Sequence, residues 1–315
     1  MEPKVEVGFP RIGGEAGVGP RLANPTNAIC PVSRRRRKNF VLDILLPSLF
    51  IRREGTPCKP IFPEIPEGKV CLTWIGHASF LIQTSKHNIL IDPNWANWIM
   101  VIRRLRHAGL AIEDLPNVDL VLVTHAHFDH LNRKSLRAIA ASQPIVVPYG
   151  VGGLVSGLGF TQIHEMRWWD QWEFRGLSIT FTPARHWGAR FVADRHRGYG
   201  GFCLAFEDRR IYHCGDTAYF AGFREIGRRL QPQIVLMPIG AYEPPSGRDV
   251  HIDPEKAVQA FLELGAEVMI PMHFGTYRMS YEPLYEPAQR LLVAAARSGV
   301  LSRIRFLHEG VPSLF

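Results

Sequence analysis

Hydrophobic positions change their rhythm along this chain. From Val70 onward, short apolar runs follow one another closely. Val70-Cys71-Leu72-Thr73-Trp74 comes first, Phe80-Leu81-Ile82 lies beyond a turn at Gly76, and Ile89-Leu90-Ile91 closes at Asp92-Pro93. Branched and aromatic runs bounded by turn residues predict strands. Leu120-Val121-Leu122-Val123 is apolar without alternation, which predicts a strand buried on both faces. A helix is expected from Arg133 to Ala141, and further strands at Leu177–Phe181, Gly201–Phe206 and Arg210–His213. Helical and extended patterns then alternate: helix Phe220–Leu230, strand Ile234–Met237, helix Pro254–Leu264, strand Val268–Ile270, helix Leu284–Ala296, strand Ile304–Leu307. Asp253 ahead of Pro254 has the chemistry of an N-cap followed by proline at the first helical position. Hairpin-rich strands early and strand–helix alternation late predict an α/β fold of mixed sheets covered by helices.

Upstream of Val70 the pattern is lost. Residues 1 to about 33 are rich in Gly and Pro and predict an extended or partly disordered arm. Gly13-Gly14-Glu15-Ala16-Gly17 is no nucleotide loop, because no strand precedes it and no Lys follows. Arg34-Arg35-Arg36-Arg37-Lys38 leads into an apolar stretch from Phe40 to Ile51, interrupted by Pro47 and closed by Arg52 and Arg53. This stretch has two readings. It is a short helix packed on the core beside a solvated basic face, or residues 34–53 make peripheral contact with an anionic membrane. The chain therefore divides into an N-terminal arm and strap, residues 1–69, and a catalytic domain, residues 70–315.

Composition narrows the class without deciding the function. Of 315 residues, 46% are hydrophobic and 21% charged, as in globular proteins. The formal charge of +8 favours anionic partners such as nucleic acid, phosphate-bearing substrates or anionic lipid. Five cysteines (Cys30, Cys58, Cys71, Cys203 and Cys214) are an odd number without a Cys-x-x-Cys pair. That argues against a disulfide framework or a zinc knuckle and fits a reducing cytoplasm. No apolar run approaches the roughly 20 residues needed to span a bilayer. No secretory signal pattern is visible.

The chemistry concentrates at Thr124-His125-Ala126-His127-Phe128-Asp129-His130, just beyond the buried strand. Residues i and i+2 of an extended chain point the same way, so His125 and His127 can reach one ion. A turn then lets Asp129 and His130 face a second. Imidazole and carboxylate donors suit zinc and tolerate manganese or iron. Three more strand ends offer ligands: His186 in Thr182-Pro183-Ala184-Arg185-His186-Trp187, Asp216 in His213-Cys214-Gly215-Asp216-Thr217, and His273 in Pro271-Met272-His273-Phe274-Gly275. A carboxylate has two oxygens, so Asp216 can bridge two ions. His213 competes with Asp216, and His196 with His186. His77 reads either as a brace behind a ligand or as an ordinary buried histidine, and Cys214 as packing.

With its His-x-His-x-Asp-His motif, the sequence resembles the metallo-β-lactamase-fold hydrolases. It is similar in particular to the branch of N-acylphosphatidylethanolamine-hydrolysing phospholipases D. Trp74-Ile75-Gly76-His77-Ala78-Ser79, Gly215 to Tyr219, Pro238 to Pro244, His251-Ile252-Asp253-Pro254-Glu255 and His273-Phe274-Gly275-Thr276 carry this likeness. It implies an αββα sandwich with metals at the sheet edge. It further implies one ion held by His125, His127 and His186, and another by Asp129, His130 and His273. Asp216 would bridge them, with His251 at the substrate. After Glu243-Pro244 the chain reads Pro245-Ser246-Gly247-Arg248, where those enzymes carry bulky aromatics.

The expected chemistry is hydrolysis of a phospholipid phosphodiester by water activated between two divalent ions, zinc first. Asp129 would hold that water, and His251 would bind the phosphoryl oxygen or protonate the leaving alkoxide. Other readings stay open. A lactonase or other ester or amide hydrolase would need no lipid-facing groove. A nuclease is disfavoured, because no compact nucleic-acid module and no basic arm beyond residues 34–38 is visible. A non-enzymatic lipid-binding relative would not need the full ligand set. The oligomeric state is not legible.

Overall fold

The computed structural model describes residues 38–57, 59–191 and 194–315. The expected arm over residues 1–33, the run Arg34–Arg37 and Cys58 lie outside them. Residues 38–315 form one compact unit.

The first apolar runs make an antiparallel meander: β1 (Cys71–Gly76), β2 (Ser79–Gln83) and β3 (Asn88–Ile91). A two-residue-strand hairpin, β4 (Trp98–Ile99) and β5 (Ile102–Arg103), projects beyond it. Then β6 (Leu120–Leu122), β7 (Ile145–Pro148) and β8 (Ile163–Met166) join β3 in parallel. The second sheet takes β9 (Gln171–Phe174), β10 (Leu177–Thr182), β11 (Gly201–Phe206), β12 (Arg209–His213), β13 (Ile234–Pro238) and β14 (Val268–Met272). A last short strand, β15 (Ser313–Leu314), returns to pair with β1. The sheets run β15-β1-β2-β3-β6-β7-β8 and β14-β13-β12-β11-β10-β9.

Helices α1 (Leu46–Phe50), α2 (Arg133–Ile139), α3 (Gly152–Val155), α4 (Gly222–Leu230), α5 (Pro254–Leu264) and α6 (Glu286–Arg297) complete the chain. Side-chain alternation explains the layering. Ile89 and Ile91 of β3 join the core between the sheets with Phe80, Ile82, Phe181, Phe202 and Leu236. Leu90 and Leu81 point the other way, into a second core with Leu136 and Ile139 of α2. The faces of the second sheet pack with Phe261 of α5 and Leu291 of α6. The result is an αββα sandwich. Each fully buried Ile, Leu or Phe contributes about 1.5–3 kcal/mol relative to exposure.

Local signals hold where they are strong. The Asp253 side chain accepts the Lys256 N–H at 2.9 Å, Pro254 opens α5 and Gly265 closes it at φ +69°. The expected strand Ile304–Leu307 is reduced to a bridge from Ile304 to Met269, because a 3-10 turn at Leu301–Arg303 delivers the chain there for one residue pair only. Of the stretch Phe40–Ile51, Phe40–Phe50 is helical, with a π turn at Val41–Leu45, and Ile51 is extended. The helical part rests on buried Ile44 and Ser48 while its other side stays exposed. None of the helices among the described residues is long and apolar enough to cross a membrane.

Candidate metal centre

The topology brings six strand ends to one edge. β3 and β6 are parallel. β10 and β12 are both antiparallel to β11, so they share a direction, and β13 and β14 follow β12 in parallel. The residues just past β3, β6, β10, β12 and β14 are Asp92, the His125–His130 loop, His186, Asp216 and His273. All eight expected site residues, His251 included, meet there.

They form two groups that share a carboxylate. In the first, His127 Nδ1 lies 2.9 Å from His125 Nε2 and 3.2 Å from His186 Nε2. In the second, Asp129 Oδ2 lies 3.4 Å from both His130 Nε2 and His273 Nε2. Asp216 Oδ2 sits between the groups, 3.0 Å from His273 Nε2, 3.2 Å from His130 Nε2, and 3.9 Å from both His125 Nε2 and His186 Nε2. His251 Nδ1 is 3.8 Å from the same oxygen. Every member is buried except His127, which is partly exposed.

The donor set fits metal ions. Buried His127 Nε2, His251 Nδ1 and Asp216 Oδ1 have no hydrogen-bond partner, and His130 Nε2 and His273 Nε2 face Asp216 Oδ2 at 3.2 and 3.0 Å outside hydrogen-bond geometry. Native interiors rarely leave such atoms unpaired, and a cation satisfies several lone pairs at once. Electrostatics makes the same demand. Burial opposes charge on His130 and His273, yet Asp216 and Asp129 outweigh it, lifting His130 well above its ordinary range and His273 to about 9. Burial also opposes ionisation of Asp129 and Asp216, but the surrounding histidines hold both carboxyls well below theirs. Two buried carboxylates thus require positive charge beside them. Protons on His130 and His273 provide it in the bare chain, and divalent ions provide it otherwise. His125, desolvated and next to other histidines, is pushed well down and stays a neutral donor.

Surrounding groups fix the ligands. Asp92, at the end of β3, accepts from Thr124 N–H at 2.7 Å and Thr124 Oγ1 at 2.6 Å, and its Oδ2 lies 2.7 Å from His130 Nδ1. Such a contact sets the tautomer and leaves Nε2 facing the centre. The Val250 carbonyl does the same for His186 Nδ1 at 2.8 Å. His77 Nε2 contacts Asp129 Oδ2 at 2.9 Å, and the residue can itself be counted among the potential ligands around Asp129, His130 and His273. Asp92, His77 and His273 have φ between +46° and +61°, a costly conformation for residues with a Cβ and one that gathers at functional sites. The competitors fall away. His213 Nε2 bonds the Ala78 carbonyl at 2.9 Å, and His196 lies exposed on its loop. Asp92 escaped the sequence reading, its only signal being an acidic residue at a strand end before proline.

A beta-lactamase superfamily domain is recognised over residues 87–274. The chain belongs to the metallo-β-lactamase-fold hydrolases. Within them it is 33% identical over 247 residues to N-acyl-phosphatidylethanolamine-hydrolyzing phospholipase D 1 of Caenorhabditis elegans, covering 71% of this chain and 69% of that protein. It is 31% identical over 210 residues to a metal-dependent hydrolase of Methanopyrus kandleri, covering 65% of this chain and 84% of that one. A solved metallo hydrolase from Ignicoccus hospitalis superposes with a TM-score of 0.60 at 26% identity, covering 78% of this chain and 98% of that one. The chain is a metal-dependent hydrolase whose His/Asp cluster is able to hold metal.

Proposed function

We propose that the protein is a binuclear phosphodiesterase that cleaves N-acylphosphatidylethanolamine-type phospholipids in the phospholipase D sense. The observation that carries the reading is Asp216, whose Oδ2 lies within 3.9 Å of ring nitrogens from both histidine groups. His125, His127 and His186 would hold one ion, Asp129, His130 and His273 the other, with zinc as the expected metal and manganese or iron as alternatives. Such ions supply Lewis acidity toward a phosphoryl oxygen and lower the pKa of water.

The chain's own residues do the rest. Asp129, braced by His77, accepts the hydrogen bond of the attacking water and orients it. His251 is desolvated and pushed well below its ordinary pKa. It is therefore neutral, and donates a hydrogen bond to the phosphoryl oxygen or the departing alkoxide without adding charge. A cavity of about 350 Å³ opens over Asp129, Asp216 and His251, walled by Trp187, Val250, Pro245 and Met279. Polar floor and apolar wall suit a substrate with a phosphodiester and acyl chains, and the likeness to the Caenorhabditis elegans N-acyl-phosphatidylethanolamine-hydrolyzing phospholipase D 1 supports this choice.

The test is elemental analysis together with hydrolysis of an N-acylphosphatidylethanolamine and of bis(p-nitrophenyl) phosphate. Wild type should carry about two metal ions and turn over the lipid. Asp216→Asn should lose metal and activity. His251→Ala should keep its metal and lose roughly 100-fold or more in turnover. Metal without phosphodiester turnover would move the substrate to lactones, esters or amides. No stoichiometric metal would sink the proposal.

A further inference from the structure

Two elements outside the metal centre leave a set of large apolar side chains in solvent. On the helical segment Val41–Phe50, Ile44 and Ser48 are buried, one turn apart. Val41, Leu42, Leu46 and Leu49 are exposed on other sides, and Phe50 is 87% exposed. On the β4–β5 hairpin Ile99 is buried, whereas Trp98 is exposed, Met100 is 70% exposed and Val101 62%. Arg103 of β5 ties the two together. Its Nη1 donates to the carbonyls of Ser48, Leu49 and Ile51 at 3.1, 2.9 and 2.8 Å, closing the end of α1. Eight exposed apolar side chains therefore stand on one braced unit. Scattered apolar residues need no explanation on a protein surface, but a cluster of this size does.

The patch is linked to the metal cavity. The Phe40 ring packs edge-on against Tyr281, with centroids 6.2 Å apart. Tyr281 N–H donates to the Pro244 carbonyl at 3.0 Å, and Pro245, Ser246 and Met279 line the cavity. Its flanks carry cations. Lys38 is exposed and lies 5.0 Å from the Tyr281 ring, and Arg52 is exposed beyond Phe50. The acids beside the patch are Asp43, which accepts the Asn39 N–H at 2.6 Å, and Glu54, which accepts from Tyr285 Oη, and the four cations Lys38, Arg52, Arg53 and Arg103 outnumber them.

We propose that the Val41–Phe50 segment and the Trp98–Val101 hairpin together form a docking surface for an anionic lipid bilayer. The apolar side chains enter the headgroup region, Lys38 and Arg52 meet anionic headgroups, and a lipid is presented to the cavity beside Tyr281. Apolar side chains framed by basic ones match this interface in both polarity and charge. The proposal deepens the phospholipid reading and takes its substrate from it, but lipid binding is measured without turnover, so each can fail alone.

The experiment is co-sedimentation of the full chain with vesicles of equimolar phosphatidylcholine and phosphatidylglycerol, and with phosphatidylcholine alone. Phe50→Glu tests the helix and Met100→Glu the hairpin. Melting temperature and metal content, with hydrolysis of bis(p-nitrophenyl) phosphate where the wild type shows it, report that each variant is folded and loaded. Wild type should prefer the anionic vesicles, and each variant should bind them roughly tenfold or more weakly with melting temperature and metal content unchanged. Equal loss from both elements marks one surface. Vesicle binding that neither variant alters would overturn the proposal. So would a chain that ignores vesicles but dimerises through these residues, shown by variants that turn monomeric in light scattering. Vesicle binding without N-acylphosphatidylethanolamine hydrolysis would keep the surface and remove the proposed substrate.

Discussion

Asp92 shows how much of the centre rests on residues that are not themselves ligands. Its carboxylate takes two hydrogen bonds from Thr124 and contacts His130 Nδ1 at 2.7 Å. An amide there would offer an NH2 to a ring N–H or to the Thr124 donors, breaking at least one of these contacts. Asp92→Asn should therefore weaken metal binding by roughly 10–100-fold while leaving the sandwich folded. Competition against a chromophoric chelator would measure it, and unchanged affinity would mean that Asp92 does not set the His130 tautomer. The ligands were legible because four of them crowd into six residues and the others follow predicted strands. Asp92 and His77 were not, or not fully, because a lone acid or imidazole acquires its role only when the fold brings His130 or Asp129 against it.

Elements position these residues through turns that tolerate no side chain. Gly215, between β12 and Asp216, has φ +62°, and an added Cβ would stand 2.4 Å from the Gly200 carbonyl oxygen and 3.1 Å from Thr124 Cβ. Gly215→Ala would cost about 1–2 kcal/mol for the backbone conformation alone, with the clash in addition. The turn would shift and carry Asp216 with it, so metal content should fall together with the melting temperature. A stable variant that has lost metal would separate the two effects, and one unchanged in both would show that the turn relaxes freely. At this scale the sequence was clearest where the pattern was longest. The meander, the buried strand β6 and the capped helix α5 follow from runs and caps. β8 and β9 were missed because their exposed, polar positions hide them, as in Ile163-His164-Glu165-Met166. The β4–β5 hairpin has strands of two residues, and distant contacts hold it: Arg103 to α1, and buried Arg104 to the Asn94 carbonyl at 3.0 Å.

Across the whole molecule, the centre joins the two sheets. His77, His125, His127, Asp129 and His130 come from the first sheet's loops, and His186, Asp216, His251 and His273 from the second's. Ions bound between them would stabilise the assembled sandwich over the unfolded chain, by about 2.7 kcal/mol at a hundredfold excess over the dissociation constant. The bare chain has a different dependence on pH. His273 moves from 6.5 up to about 9 on folding, so its pairing with Asp216 and Asp129 stabilises fully below pH 6.5 and is lost as pH rises through 9. The two carboxyls are depressed below 3.8, so their contribution is present above that value and lost as pH falls below it. Metal ligation runs opposite to His273, because the histidines must be deprotonated to bind and protons compete as pH falls. Calorimetry of chelated and metal-loaded protein should then show the chelated form weakening between pH 6.5 and 9 while the loaded form holds or gains. The gap between their melting temperatures should widen over that interval. A gap that stays constant or closes would mean that metal and His273 protons do not compete for the same buried carboxylates, and the two-group centre would have to be abandoned.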